Sequence, residues 1–164
     1  MFLVDTNILV EAANEGSVLH GATRTLLEAW RRREDAWFTT WSIQYEFLRV
    51  VTHPRVLRKP WTTTRAWGFL EALHGSPGFG VLVATPRHAA VARRTLHEVD
   101  ELSGNAMHDA HIAILMREHG IGTIYTRDRA FRRFAFLEVV DPLLTVNDRR
   151  GGGRRRRSAI NAPS

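Results

Sequence analysis

The sequence predicts an α/β fold with a mainly parallel central sheet and helices on both of its faces. Short runs of β-branched and aromatic residues alternate with longer stretches whose apolar residues have helical spacing. The 164 residues are the size of one domain, and 44% of them are hydrophobic, which is enough to fill a core. Every apolar run is far shorter than the roughly 20 residues that a membrane helix needs, so we expect no membrane contact.

Five elements are predicted in the first half of the chain: a strand at 2–4, a helix over 18–33, a strand at 37–40, and helices over 42–52 and 63–74. Leu19, Leu26 and Trp30 have the spacing of one face of the first helix. Pro54 ends the second helix, because the residue before a proline disfavours the helical conformation. Gly75 closes the third.

Five more elements are predicted in the second half: a strand at 81–83, helices over 87–102 and 106–119, and strands at 123–125 and 137–140. Thr85 and Pro86 place a capping side chain before a proline at the first helical position. Asn105 can cap the next helix, and Gly120 is its expected stop. Strands that alternate with helices in this way favour parallel pairing.

The chain divides into a folded domain, residues 1–146, and an Arg/Gly-rich tail, residues 147–164, which we expect to be disordered. Residues 149–164 hold six arginines and no acids, and therefore carry the whole formal net charge of +6. The absence of cysteine excludes disulfide frameworks, thiolate zinc sites and cysteine nucleophiles. The N-terminus lacks the basic start of a signal peptide, so we expect a cytoplasmic protein.

Two acidic residues follow predicted strands. Asp5 comes directly after the first strand, and Asp128 lies just past the strand at 123–125. In open α/β sheets the carboxyl ends of parallel strands form the edge where ligands bind, so we expect both acids at one edge. Asp128 is equally compatible with a role as the cap of the turn DRAFRRF.

Two further acidic residues lie on helices, on the side of the apolar residues. Glu46 shares a face with Ile43 and Val50, and Asp109 shares one with Ile112. Both are expected near helix starts, where the helix dipole favours a negative charge. An ionised carboxylate on a buried stripe is costly unless it is paired, and no lysine lies near either acid.

A divalent cation would supply the missing positive charge. Carboxylate ligands suit Mg²⁺ or Mn²⁺, and such a site can activate a water and stabilise charge on a phosphoryl group. The candidate catalytic residues are Asp5, Glu46, Asp109 and Asp128. Three of them are the candidate metal ligands: Asp5, Asp109 and Asp128. We expect Thr6 and Asn7 to hydrogen-bond the carboxylates.

The motifs VDTNIL, QYEFLRVVTHPRV, HDAHIA and YTRDRAF occur in an order that resembles a PIN domain, and more closely the VapC toxins of bacterial toxin–antitoxin pairs. The resemblance covers about residues 1–144. It implies a PIN-like three-layer fold and a Mg²⁺- or Mn²⁺-dependent endoribonuclease that cuts structured RNA, tRNA or rRNA. It also implies a homodimer and a cognate VapB-like antitoxin. The family's four acids fall on Asp5, Glu46, Asp109 and Asp128.

Three other residues are candidates for contact with RNA: His108, Arg132 and Arg133. The arginines lie close in sequence to Asp128. His108 and His111 have a spacing that a zinc site would allow, but the chain has no cysteine and no second paired motif. We therefore expect no zinc. Three tryptophans are expected in the core or at a dimer interface, with stacking on RNA bases as the alternative: Trp30, Trp37 and Trp41.

Two other function classes compete with a nuclease. Phosphoryl-transfer enzymes with an aspartyl intermediate also place an acid after the first strand, but Asn7 stands where the haloacid dehalogenase-like class has a second Asp. These enzymes also need a late lysine, and none follows Lys59. The second alternative is a non-cleaving PIN-like module that binds RNA or protein. The presence of all four acids favours cleavage over this alternative.

Overall fold

The computed structural model describes residues 1–99 and 102–144, so the predicted tail at 147–164 lies outside the described residues. Five strands form one sheet: β1 (Phe2–Val4), β2 (Trp37–Thr40), β3 (Phe79–Leu82), β4 (Thr123–Tyr125) and β5 (Glu138–Val140). Their order is β3-β2-β1-β4-β5, and every neighbouring pair is parallel. The predicted α/β fold is therefore confirmed, with a sheet that is entirely parallel.

The described residues form six α-helices: α1 (Thr6–Ala13), α2 (His20–Arg31), α3 (Trp41–Thr52), α4 (Thr63–His74), α5 (His88–His97) and α6 (Ala106–Glu118). A short 3₁₀ helix spans Arg129–Arg133. Helix α1 packs on α2 and α3, α3 packs on α4, and α5 packs on α6. Within the described ranges, no helix is both long enough and apolar enough to cross a membrane.

The core is built around β1, the central strand. Leu3 pairs with Phe38 on one side and with Ile124 on the other, and its side chain is fully buried. The rings of Trp30 and Tyr125 lie 5.0 Å apart in the same apolar cluster. Trp30 and Trp37 are both buried, as expected for core residues, whereas Trp41 is not.

The order of the strands creates a switch point at β1. The chain runs from β1 to β2 and β3 on one side, and then returns to place β4 and β5 on the other side. Ligands of open α/β sheets bind at such a point, outside the carboxyl ends of the strands. Asp5 and Thr126 are the residues that directly follow β1 and β4. The topology thus brings the ends of these two strands side by side.

Several helices differ from the sequence-based expectation, and α2, for example, spans His20–Arg31 rather than 18–33. Helix α1 was not predicted, although Asp5 caps it by accepting a hydrogen bond from the Thr6 backbone N–H. Helix α5 ends at His97 rather than at 102, and Asn105 makes no side-chain capping bond to α6. Gly120, with φ of 68°, follows α6 as predicted, because this left-handed conformation suits glycine.

Candidate active site

Asp5 is a buried carboxylate at the carboxyl end of β1. Its side chain accepts hydrogen bonds from the Thr6 N–H at 2.7 Å, the Asn7 amide at 2.6 Å and the Thr126 hydroxyl at 2.6 Å. Burial raises the pKa of Asp5 to about 6, and the negative charges of Glu46 and Asp109 add to this effect while the hydrogen bonds oppose it. The site therefore holds Asp5 rigidly and makes its negative charge costly.

Thr126 joins the ends of β1 and β4, and sequence reasoning missed it. Its hydroxyl donates to Asp5 and accepts from the Asn7 amide at 2.8 Å and from the Asp128 backbone N–H at 2.9 Å. The Asn7 side-chain oxygen also accepts from the Arg127 N–H at 3.1 Å. Its position directly after β4, equivalent to that of Asp5 after β1, was the signal that could have identified Thr126.

Glu46 reaches the same region from α3, but it is not a buried residue. The expectation that it lies on a core-facing stripe near the helix start is wrong: it lies in the second turn, and its side chain is 48% exposed. The Thr6 hydroxyl donates to one carboxylate oxygen at 3.1 Å, and Arg49 donates to the other at 3.4 Å. The positive charge beside this acid is therefore an arginine three residues along the same helix, whereas the sequence-based expectation concerned lysines only.

Asp109 lies in the first turn of α6 and is half-buried, as its position beside Ile112 predicts. Burial and the neighbouring charge of Asp128 raise the pKa of Asp109, and Glu46 adds to the rise. Arg133 and His108 act in the opposite direction. Asp109 is thus within electrostatic reach of the three other acids of the candidate set.

Asp128 is a helix cap that also lies at the edge of a cleft. It caps the 3₁₀ helix, because its carboxylate accepts a hydrogen bond from the Ala130 N–H at 2.8 Å. It also borders a cleft of about 690 Å³ together with Glu46 and Asp109. The other side chains that line this cleft are Ser42, Tyr45, Arg49, Asn105, His108 and Ile112.

The predicted RNA-contact residues are distributed unevenly around the cleft. His108 lines it, and Arg133 is close enough to lower the pKa of Asp109. Arg132 is exposed on the 3₁₀ helix and does not line the cleft. Arg49 and Tyr45, which sequence reasoning did not select, do line it. Their one-turn spacing from one another on α3 could have identified both.

The donor set of this region fits a hard divalent cation. The four acids present only oxygen ligands, and the repulsion between acids adds to the burial that raises the pKa of Asp5 and Asp109. Within the described part of the chain, no three His, Asp or Glu side chains are close enough to hold a metal ion as they stand. A metal site formed by these acids would require their side chains to rearrange, and a bound cation would favour this by offsetting their repulsion.

The sequence profile of the PIN domain matches residues 2–137 of this chain. Ribonuclease VapC48 of Mycobacterium tuberculosis is 33% identical over 138 residues, which are 84% of this chain and 94% of that protein. This protein is a PIN domain of the VapC family. Ribonuclease VapC43 of the same species is 34% identical over 143 residues, which are 87% of this PIN domain and 96% of the relative.

Solved structures agree with the fold of this PIN domain. M. tuberculosis VapC20, a sarcin-ricin loop cleaving toxin, superposes with a TM-score of 0.60 at 24% identity, covering 85% of this chain and 98% of that one. VapBC2 from Rickettsia felis, bound to a DNA fragment from its promoter, gives 0.61 at 15% identity over 85% and 96% of the two chains. The resemblance to VapC toxins and the fold it implied are confirmed.

Proposed function

We propose that this VapC-family PIN domain is the toxin of a toxin–antitoxin pair, an endoribonuclease that cuts structured RNA, tRNA or rRNA, with Mg²⁺ or Mn²⁺ as cofactor. Two observations carry the proposal. Three acids from three segments line one open cleft: Glu46, Asp109 and Asp128. The buried Asp5, at the carboxyl end of β1, does not line the cleft but is within electrostatic reach of Glu46 and Asp109. Curated relatives named as ribonucleases support the same conclusion.

Each acid has a role that follows from its surroundings. Asp5, Asp109 and Asp128 would hold the divalent cation, which when bound supplies the positive charge that stabilises the phosphate and makes water a better nucleophile. Glu46 lines the cleft from α3 with a half-exposed side chain, and we assign to its carboxylate the proton of the attacking water. Thr6 orients Glu46, and Asn7 and Thr126 orient Asp5.

Positive groups around the cleft would hold the RNA phosphates. His108 and Arg49 line it, and Arg133 lies near Asp109. In-line attack of water on a phosphodiester would leave a 3′-hydroxyl and a 5′-phosphate. We assign Arg132 to a more distant phosphate contact, because it does not line the cleft.

The partners follow from the family. Structures of similar chains include VapBC and FitAB complexes, which supports a VapB-like antitoxin as a partner of this chain. We propose a homodimer that acts in the cytoplasm, where tRNA and ribosomes are found, and the folded domain of residues 1–146 as its nuclease unit.

Cleavage of purified total tRNA and rRNA tests the proposal. The protein is incubated with Mg²⁺ or Mn²⁺, beside an EDTA control and the Asp5→Asn variant. We expect discrete fragments that require both the metal and Asp5. Tight binding of these RNAs by the folded protein without any cleavage would favour a non-cleaving binding module instead.

Asp141→Asn is the matched control variant. Asp141 also follows a strand, β5, at the same edge of the sheet, but its carboxylate accepts from the Leu143 N–H at 3.0 Å and lies 3.8 Å from Arg127. It does not line the cleft. Cleavage by Asp141→Asn at the wild-type rate would show that loss of activity in Asp5→Asn is specific to the acid cluster.

A further inference from the structure

Three rings form a row on the surface beside the candidate active site. Tyr45 and Trp41 lie one turn apart on α3, and their side chains are large and open to solvent, with residue exposures of 64% and 41%. Their ring centroids are 6.3 Å apart, and the His74 ring lies 5.8 Å from Trp41. We call Tyr45, Trp41 and His74 the aromatic row.

The far end of the aromatic row is fixed by buried groups. The buried Gln44 donates through its amide N–H to the Thr39 hydroxyl at 3.0 Å, so its carbonyl oxygen is left to accept from His74 Nε2, also at 3.0 Å. Phe79 packs against the His74 ring at 5.1 Å. Because His74 is held in this way, the row presents ring faces at low entropic cost.

The near end of the aromatic row opens into the acid cleft. Tyr45 lines the cleft with Glu46 and Asp109, and the largely exposed Arg49 guanidinium lies on the next turn of α3. A strand whose phosphate lies near the acids would therefore meet Arg49 and the rings of the row. Single-stranded nucleic acid is bound by this combination of positive charge and aromatic faces.

We propose that the aromatic row stacks the unpaired bases of the RNA strand that enters the cleft. The inference rests on the proposed function and deepens it, since it makes RNA with unstacked bases beside the cut site the preferred substrate class. Bases that are paired and stacked in a duplex cannot offer their faces to Tyr45 and Trp41, so a duplex gains nothing from the row.

Binding of RNA to Asp5→Asn protein tests the row without interference from cleavage. Fluorescence anisotropy measures the affinity for a labelled single-stranded oligoribonucleotide and for the same sequence in a duplex. Adding Tyr45→Ala or Trp41→Ala should weaken single-strand binding by roughly tenfold each, because one stacking contact is lost, and leave duplex binding unchanged. Tyr45→Phe and Trp41→Phe keep a ring and should retain most of the affinity.

Trp67→Ala is the matched control, because Trp67 is 39% exposed on α4, bonds to Glu71 through its indole N–H and does not line the cleft. It should bind both RNAs like its parent. Photo-crosslinking of a 5-iodouridine oligonucleotide should attach RNA to the α3 peptide that contains Tyr45 and Trp41.

Two results would overturn the proposal that the aromatic row stacks RNA bases. One is unchanged single-strand affinity in both alanine variants, or no single-strand affinity in the parent. The other is a change of molecular mass by light scattering in the alanine variants, which would make the row an interface between two copies of the chain. Ring-dependent binding in a protein that cleaves no RNA would leave the row standing and reject the nuclease proposal.

Discussion

Asp5 carries its negative charge in a place that water hardly reaches. It is 6% exposed, and burial raises its pKa from 3.8 to about 6. Between these two values the folded protein retains a proton that the unfolded chain releases. The folded state is therefore favoured at the acidic end of this range, and the benefit is lost as the pH rises through about 6.

The raised pKa of Asp5 predicts that the free energies of unfolding of wild type and Asp5→Asn depend differently on pH when no divalent metal is present. The free energy of unfolding of the wild type should fall, relative to that of the variant, by at most about 3 kcal/mol between pH 4 and pH 7. Urea unfolding at a series of pH values in EDTA measures this difference. If the free energies of unfolding of the two proteins changed in parallel with pH, this result would contradict the raised pKa of Asp5.

Thr126 holds Asp5 through a single hydroxyl group with three hydrogen-bond partners. Thr126→Val removes that hydroxyl at nearly constant volume. We expect RNA cleavage to slow by roughly 10- to 100-fold and stability to fall by about 1–3 kcal/mol. Rates are measured on the same RNA under single-turnover conditions.

Thr126→Ser is the rescue variant for this prediction, since it restores the hydroxyl. It should recover most of the cleavage rate. If Thr126→Val cleaves as fast as wild type, Asp5 is positioned without the help of Thr126.

Among single residues, the acids of the candidate site could be selected from the sequence, whereas their burial and their hydrogen-bond partners were harder to predict. Asp5 and Asp109 could be selected because an acid beside apolar neighbours is expensive. The exposure of Glu46 could not be predicted, because the width of the buried stripe on α3 depends on which helices pack against it. Thr126 escaped selection because a threonine after a strand is unremarkable until its three partners are known.

At the scale of elements, the buried Glu118 connects two helices. Its carboxylate accepts from the Thr85 N–H at 3.1 Å and hydroxyl at 2.6 Å, and it pairs with His88 Nδ1 at 2.6 Å. Desolvation by burial works against ionisation, but the hydrogen bonds from Thr85 and His88 hold the pKa of Glu118 below its usual value. The start of α5 is thereby fixed to the end of α6, the helix that carries Asp109.

Glu118→Leu should destabilise the protein by about 3 kcal/mol at pH 7, because it leaves the partly buried donors of Thr85 and His88 without an acceptor. The loss should shrink as the pH falls below about 4.5, where the wild-type carboxylate begins to lose the advantage that its depressed pKa provides. Chemical denaturation of both proteins at pH 7 and pH 4 measures these differences. Glu98→Leu, which changes an exposed acid paired with Arg94 and Arg117, is the control and should have little effect.

Most elements could be predicted from apolar spacing and stop signals, and α1 shows why one could not. Only Asp5 separates its eight residues from β1. The apolar residues of 2–4 and 8–10 on either side of the polar residues 5–7 give no sign of a change from strand to helix. The cap that starts α1 is Asp5 itself. Aspartate is a common helix cap, and the structure shows that the residue predicted as a ligand also caps α1.

In the whole molecule, the formal net charge is concentrated at the C-terminal end of the sequence. Residues 1–148 have 17 basic and 17 acidic side chains, and residues 149–164 add six arginines. Removal of residues 149–164 should weaken RNA binding more at low salt than at high salt, because fewer counterions are released. Affinity for one RNA at several salt concentrations gives the slope for each protein, and equal slopes would contradict a role for these arginines in RNA binding.

The order of the strands is what turns separate acids into one site. Residues 5, 46, 109 and 128 are far apart in sequence. The parallel sheet with its switch at β1 brings residues 46, 109 and 128 to one cleft and places Asp5 within electrostatic reach of Glu46 and Asp109. The alternation of strands and helices predicted a parallel sheet, but it did not specify the order β3-β2-β1-β4-β5. That order depends on how the helices pack, which local spacing does not report.

If these acids form one metal-dependent hydrolytic centre, water attacks the phosphodiester. The chemical ends of the cleaved RNA then report on this attack. A cut RNA is mapped after single-turnover reactions with increasing Mn²⁺, using wild type, Asp5→Asn and Asp141→Asn. We predict fragments with 5′-phosphate and 3′-hydroxyl ends whose rate rises with Mn²⁺ in wild type and Asp141→Asn and is absent in Asp5→Asn. Fragments with 5′-hydroxyl and cyclic phosphate ends, or cleavage that persists in EDTA or in Asp5→Asn, would contradict it.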